Sequence, residues 1–215
     1  MNWRQDDGPG SRRGYHHGNL REALIKAALE LISEKGSSGF TIAEAARAAG
    51  VSPAAPYRHY RDRDALMADV ALKGFEALEA RLRAAWAGGA PKPSKALENV
   101  TRAYLDFARR EPSQFSAMFE SGLSLHAFPE LRDAGERAFG VVRDACEALI
   151  QTMPAAQRPP VTMMALHVWS QAQGVAALFA RGDGARRPIP MSAEDLLAAA
   201  MLIYLDGLGA RTSGD

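Results

Sequence analysis

Two helix starts stand close together in the N-terminal third of this 215-residue chain, and between them they leave the backbone little freedom. Thr41-Ile-Ala-Glu44 carries a capping threonine and, three positions on, a carboxylate able to return to the capping amide. The short helix it opens should close at Gly50, because glycine adopts the left-handed helix-ending conformation at little cost. Ser52-Pro53 starts another, with serine as cap and proline at the first helical position, where a missing N–H is no loss. Two short helices joined by a glycine-containing turn make a helix-turn-helix.

The remainder points to an all-α fold. Alanine occurs 41 times, whereas Val, Ile and Thr together reach 19, so helix formers dominate and strand formers are scarce. Asn19-Leu-Arg-Glu22 resembles a capping box and predicts a first helix from Asn19, with Leu20, Leu24, Ala28 and Leu31 on one face and an end near Gly36. A fourth helix should begin at about Arg63, use Leu66, Val70 and Phe75, and fray toward Gly88-Gly89. The stretch 88–94, rich in glycine and proline, is the clearest break. Beyond it the spacing predicts a helix on Leu97, Val100, Tyr104 and Phe107, a short one on Phe115, Met118 and Phe119, and a long one after Pro129. Two last helices are expected over 161–180 and 193–211.

Several function classes lose support at this stage. The longest apolar run, Leu196 to Leu205, is about half of the ~20 residues a membrane span needs, so no membrane association is expected. The first residues lack the apolar stretch of a secretory signal, and the lone Cys146 excludes an intrachain disulfide and multi-cysteine zinc frameworks; a cytoplasmic location is the expectation. No nucleophile elbow, H-E-x-x-H, P-loop or dinucleotide fingerprint occurs, which disfavours a helical enzyme. Gly122-Leu-Ser-Leu-His126 brings Ser and His close without strand-turn-helix context, and Cys146 should be buried and inert. His16 and His17 have no acidic or cysteine partner, so they suggest solvent or phosphate contact; neither metal nor cofactor is called for. The formal charge is only +1, yet residues 11–63 hold nine cations against five acids, an excess that suits a polyanion.

The order of these elements is more specific than any one of them. Gly14-Tyr-His-His-Gly-Asn-Leu-Arg21, Phe40-Thr-Ile-Ala-Glu-Ala-Ala46, Ala49-Gly-Val-Ser-Pro53, Tyr57-Arg-His-Tyr60 and Asp64-Ala-Leu66 together resemble the DNA-binding domain of the tetracycline-repressor (TetR) family. The resemblance implies a disordered tail over 1–14, a three-helix DNA-binding domain over 15–75, and a helical effector-binding and dimerisation domain over 76–215. It further implies a homodimeric regulator, a repressor in most such proteins, that binds a pseudo-palindromic double-stranded operator and senses a small molecule. A protein-interaction adaptor without DNA affinity is the other reading of the same fold.

Candidate DNA contacts follow from position and chemistry. Thr41 and Ser52 stand at helix N-termini, which favour phosphate. Ala54 and Ala55 are small enough for close approach to base edges. Tyr57, Arg58 and His59 are consecutive and fan over about 200° of a helix, so they cannot share one role. The resemblance gives Tyr57 and His59 phosphates, Arg58 a guanine edge or phosphate, and Arg63, where the family usually has lysine, a further phosphate. Tyr60 stands where the family usually has Phe and is expected in the core. Arg12 and Arg13 are candidates for a minor-groove arm.

The C-terminal half is less explicit. His167-Val-Trp169-Ser170-Gln-Ala-Gln173-Gly174 resembles a subclass carrying Trp-Ser-x-x-His-Gly, with Gln173 at the histidine position. Tyr104, Phe115, Met118, Phe119, Phe139, Met163, His167 and Trp169 are the expected lining of an apolar effector pocket. Val168, Ala172, Val175 and Phe179, with Leu196, Ala200, Ile203 and Tyr204, form stripes on two helices that are apolar on more than one side, and are the expected dimer interface. Gly174 and Gly207, costly inside helices, would suit close approach of another backbone.

Overall fold

A computed structural model describes residues 17–180 and 189–209. Among these residues it contains eight α-helices and no strand: α1 (His17–Lys35), α2 (Ile42–Ala48), α3 (Arg63–Trp86), α4 (Pro93–Arg110), α5 (Pro112–Phe119), α6 (Pro129–Gln151), α7 (Val161–Ala180) and α8 (Ala193–Gly207). The expected tail over 1–14, with Arg12 and Arg13, and His16 lie outside the described residues. The first helix begins at His17, two residues ahead of the expected cap, and the last described helix ends at Gly207 rather than at 211.

Local chemistry accounts for the starts and stops. Thr41 and Glu44 close a reciprocal capping box on α2: the Glu44 amide donates to the threonine hydroxyl at 3.2 Å, and the Thr41 amide donates to the glutamate carboxylate at 2.8 Å. Gly50 follows with φ +70°, the conformation that ends the helix. Asp62 caps α3 by accepting from the Ala65 amide at 2.8 Å. That helix runs on to Trp86, where Ala87 turns left-handed ahead of Gly88 and Gly89.

The continuity of α3 revises the domain plan. The expected boundary at 75/76 falls inside this helix. Its first half buries Leu66, Met67 and Val70, alongside the buried Leu24 and Leu31 of α1 and Ala45 of α2. Its second half buries Phe75, Leu78 and Leu82 and packs on α4, α5 and α6. Besides this shared helix, α1 packs on α5, and two side-chain contacts join the N-terminal unit to the rest. Ser37 Oγ donates to the Glu120 carbonyl at 3.1 Å, and the Arg61 guanidinium lies 5.8 Å from the centre of the Phe128 ring at the start of α6. α7 packs on α6 and α4, and α8 packs on α7 and α4, where Glu194 pairs with Arg109 at 3.1 Å.

The third helix of the expected helix-turn-helix is the main departure. Residues 55–58 form one 3₁₀ turn, without a side-chain cap from Ser52. Ser52 contributes its carbonyl, accepting from the Ala55 amide at 3.0 Å. Pro56 explains the shortening: it lacks an amide donor and biases the preceding Ala55 away from the α region, so a regular helix cannot start from Ser52. The His59 and Tyr60 amides both donate to the Pro56 carbonyl at 2.9 Å, which closes the turn.

Candidate nucleic-acid interface and aromatic chamber

The surface next to α2 is built from that short turn. Ser52, Ala54, Tyr57, Arg58 and His59 are exposed, Tyr57 to 58%, which is unusual for so large an aromatic residue. Ala55 is half-buried and Pro56 buried, so the turn rests on one side and presents the other. On a 3₁₀ turn successive side chains are about 120° apart, yet Tyr57, Arg58 and His59, which follows the turn, all reach solvent. Arg58 forms no ion pair with any described residue, and neither does the exposed Arg47 near the end of α2. Arg21, Arg61 and Arg63 nearby are paired with Asp69, Asp62 and Asp64, so Arg47 and Arg58 are the arginines of this surface left without an ion pair among the described residues. Unpaired cations beside exposed aromatic and imidazole rings are what a phosphate-bearing surface requires. Arg47 belongs to this set, although its helical position carries no motif that would single it out.

Two of the expected phosphate contacts have internal duties. Arg63 donates from Nε to the Phe40 carbonyl at 3.0 Å, from Nη2 to the Ser37 carbonyl and from Nη1 to Asp64, with its guanidinium 5.0 Å from the centre of the Phe40 ring. It braces the α1–α2 loop, a role its fork of donors permits and a lysine could not fill. Thr41 is exposed, but its hydroxyl also donates to Glu44 at 2.9 Å. The Lys35 ammonium, together with the Thr41 amide and hydroxyl, pulls the Glu44 carboxyl from 4.5 down to about 2, so a carboxylate stands beside this helix start.

Behind the turn lies a network that the sequence did not announce. Tyr60 is buried, as expected, but its hydroxyl donates to Asp69 Oδ2 at 2.6 Å, and Asp69 also accepts from Arg21 Nε at 2.6 Å and Nη2 at 2.7 Å. Burial pushes the Asp69 carboxyl up, but the bonds from Arg21 and Tyr60 outweigh it and hold the group below its ordinary value. The Tyr60 phenol is raised, first by burial and then by its bond to the carboxylate. Asp69 sits among Leu66, Val70 and other apolar residues of α3, where the periodicity alone reads as core. The three side chains line one wall of a cleft of about 560 Å³, whose other wall is Ala127 to Leu131 at the start of α6.

The C-terminal unit gathers most of the expected effector residues. Trp169 stands at the centre, with ring centroids 5.1 Å from Tyr104, 5.7 Å from Phe139 and 6.4 Å from Phe119, all in edge-on geometry. Phe115 joins through Tyr104 and Phe119 at 6.3 and 4.9 Å. Met118 lies beside the cluster on α5; a Cβ on Gly74 of α3 would meet its sulfur at 2.6 Å, so the glycine permits this close crossing. Met163 and His167 do not belong: both are exposed, and His167 Nδ1 lies 3.1 Å from the Tyr204 hydroxyl of α8. Their spacing put them on the right helix but on the opposite face from Trp169.

The aromatic cluster also carries a polar pair. The Tyr104 hydroxyl donates to Gln173 Oε1, and burial raises the Tyr104 phenol. Two residues earlier, on the face of α7 opposite Trp169, Gln171 Oε1 is buried with no hydrogen-bond partner among the described residues. Such an acceptor costs about 1–3 kcal/mol.

The expected dimer residues divide. Val168, Ala172 and Val175 are buried within the protomer, so they are core and not contact surface. Phe179, Leu196 and Tyr204 are half-buried against that core, and Ala200 is half-buried. Ile203 alone of the eight stands clearly outside, 73% exposed, accompanied by Met163, Leu166 and Leu178 of α7 and by Leu202 of α8. A Cβ on Gly174 or Gly207 would meet nothing within 4 Å, so no neighbour in the protomer demands either glycine.

Known proteins resemble the chain in both halves. Residues 24–70 match the family of bacterial regulatory proteins, tetR family, and residues 97–203 match the tetracyclin repressor-like C-terminal domain. A protein of unknown function from Rhodococcus sp. RHA1 is 26% identical, with a TM-score of 0.74, over 91% of this chain and 98% of its own. The TetR family transcriptional regulator PfmR from Thermus thermophilus is 22% identical, with a TM-score of 0.66, over 86% and 96%. The fatty acid degradation regulator FadR from Bacillus halodurans shares the fold at 11% identity, with a TM-score of 0.67, over 86% and 93%. No curated protein matches the chain.

Proposed function

The chain belongs to the tetracycline-repressor family of transcriptional regulators, and from that premise we propose that it acts as a homodimeric repressor released from a pseudo-palindromic operator by a small apolar or aromatic molecule. The observation that carries the reading is the exposed turn: Tyr57, Arg58 and His59 reach solvent beside a capped α2, and no carboxylate among the described residues pairs with Arg58 or Arg47. We assign DNA contact to Ser52, Ala54, Tyr57, Arg58 and His59, and add Arg47. Ala55 reaches the duplex through its exposed part only. Thr41 and Arg63 shape the surface and leave the contacts to these neighbours. With half-sites about one helical turn apart, roughly 34–36 Å, each turn of a dimer enters one major groove.

Arg58→Ala and Tyr57→Ala test the reading in fluorescence anisotropy, using a duplex that the wild-type protein selects from a random pool. A base contact is worth roughly 1–3 kcal/mol and its loss relaxes sequence preference; loss of a phosphate contact lowers the salt slope by about one ion. Unchanged affinity in both variants would reject the assigned surface.

For the effector we assign Tyr104, Phe115, Phe119, Phe139 and Trp169 as walls, with Met118 as an adaptable edge and the Tyr104–Gln173 pair as the polar handle. A ligand with a mostly apolar body and one hydrogen-bonding group fits that lining. Release from DNA requires that the ligand favour a dimer with wrongly spaced turns, and a hundredfold preference corresponds to about 2.7 kcal/mol.

A further inference from the structure

The reading turn is too short to hold itself. It comprises four residues and lacks a side-chain cap; the Ser52 carbonyl accepts from the Ala55 amide at its start, and the Pro56 carbonyl accepts from the His59 and Tyr60 amides at its end. Runs of 3₁₀ structure have poorer hydrogen-bond geometry than α-helices, so something outside the turn must set the direction of its side chains. The residue that immediately follows the exposed Tyr57, Arg58 and His59 is Tyr60, and its phenol reaches Asp69 of α3. Asp69 is itself held by two donors of Arg21 from α1, and its side chain is 5% exposed. Three elements therefore converge on one carboxylate, and the end of the turn is tied to two helices through it.

We propose that Arg21, Asp69 and Tyr60 are positioning residues for DNA recognition: together they fix the reading turn in its binding geometry before a duplex arrives. The inference rests on the DNA-binding reading above and adds a mechanism to it. A phenylalanine at position 60 would still fill the buried space of the ring, but nothing would tether its far end to Asp69. The turn would then be free to twist about the Pro56 bonds, and the ordering would fall on the binding step. None of the three side chains needs to touch DNA for this. Arg21 is about half-exposed, at the wall of the cleft facing α6, so the tie lies where the reading unit meets the rest of the molecule.

The test uses the full-length variants Tyr60→Phe, Asp69→Ala and their double, with two readouts. Hydrogen exchange of the 59 and 60 amides in the free protein should quicken at least tenfold in each single variant, while core amides of α6 and α7 keep their protection. Affinity for the selected duplex should fall about tenfold in each. Because both changes break the same tie, the double variant should be no worse than Asp69→Ala by either measure. Unchanged protection of those amides in Tyr60→Phe would overturn the proposal, as would additive effects in the double variant or lost protection with undiminished duplex affinity. Failure of the wild-type protein to select any duplex would instead reject the DNA-binding reading, a result the exchange measurement reports separately.

Discussion

Glu44 shows how one residue can serve as cap, ion-pair partner and electrostatic boundary at once. Its carboxylate accepts from the Thr41 amide and hydroxyl and from Lys35 Nζ at 2.8 Å. The folded group titrates at about 2 against an ordinary 4.5, so folding favours the charged form. The contribution of this site is complete above pH 4.5 and is lost as pH falls toward 2. Urea midpoints of wild type and Glu44→Gln should therefore differ at pH 7 and converge across that window; a constant gap would show that the carboxylate is not the group responsible. The neighbouring Thr41 was legible as a cap from its spacing to Glu44. The commitment of its hydroxyl was not, because a capping pattern states which atoms can meet and says nothing of what else they then exclude. Asp69 was hidden for a related reason: an acid between apolar residues on one helix reveals its partners only when α1 and the reading turn are folded against it.

At the level of elements, boundaries written by local chemistry were the easiest to read. Asp62 and Arg63 open α3 where expected, and Gly88 and Gly89 end it. In the third helix of the motif the local signals conflict: Ser52-Pro53 marks a start, while Pro56, three residues later, makes it irregular, and a single 3₁₀ turn results. The expected border at 75/76 lies within α3, where the helical pattern runs on without a break. That continuity is itself testable. Glu76 and Ala80 are exposed positions in the middle of α3, and each change to glycine should lower stability by about 1 kcal/mol. In the double glycine variant, duplex and effector should each still bind, but the factor by which one weakens the other should shrink. Paired titrations, with and without the second ligand, measure that factor; an unaltered value would mean that the signal bypasses α3.

For the whole molecule, apolar patterning could name the helices of an interface without deciding which of their faces is outermost. Val168 and Ile203 both satisfied the pattern, yet one packs inside the protomer and the other is open to water. Only the packing of α7 on α4 and α6 separates them. We therefore propose Met163, Leu166, Leu178, Leu202 and Ile203 as the dimer surface, with the unobstructed Gly174 and Gly207 on the same two helices. Ile203→Glu and Leu166→Glu should give folded monomers that hold the duplex weakly, because a charge in a desolvated contact lacks compensation. Sedimentation decides this, and wild-type monomers at micromolar concentration would sink the arrangement.

The length of α3 also fixes a gear ratio for the molecule. Its 24 residues span about 36 Å, so a tilt of about 5° at the effector end sweeps the other end by roughly 3 Å. In a symmetric pair the two sweeps add to roughly 6 Å against a groove repeat of about 34 Å. If an effector of this protein tilts α3 by that much, it does not have to pry anything open: a small shift among the aromatic side chains, magnified along one helix, would put both hands of a dimer out of step with the DNA.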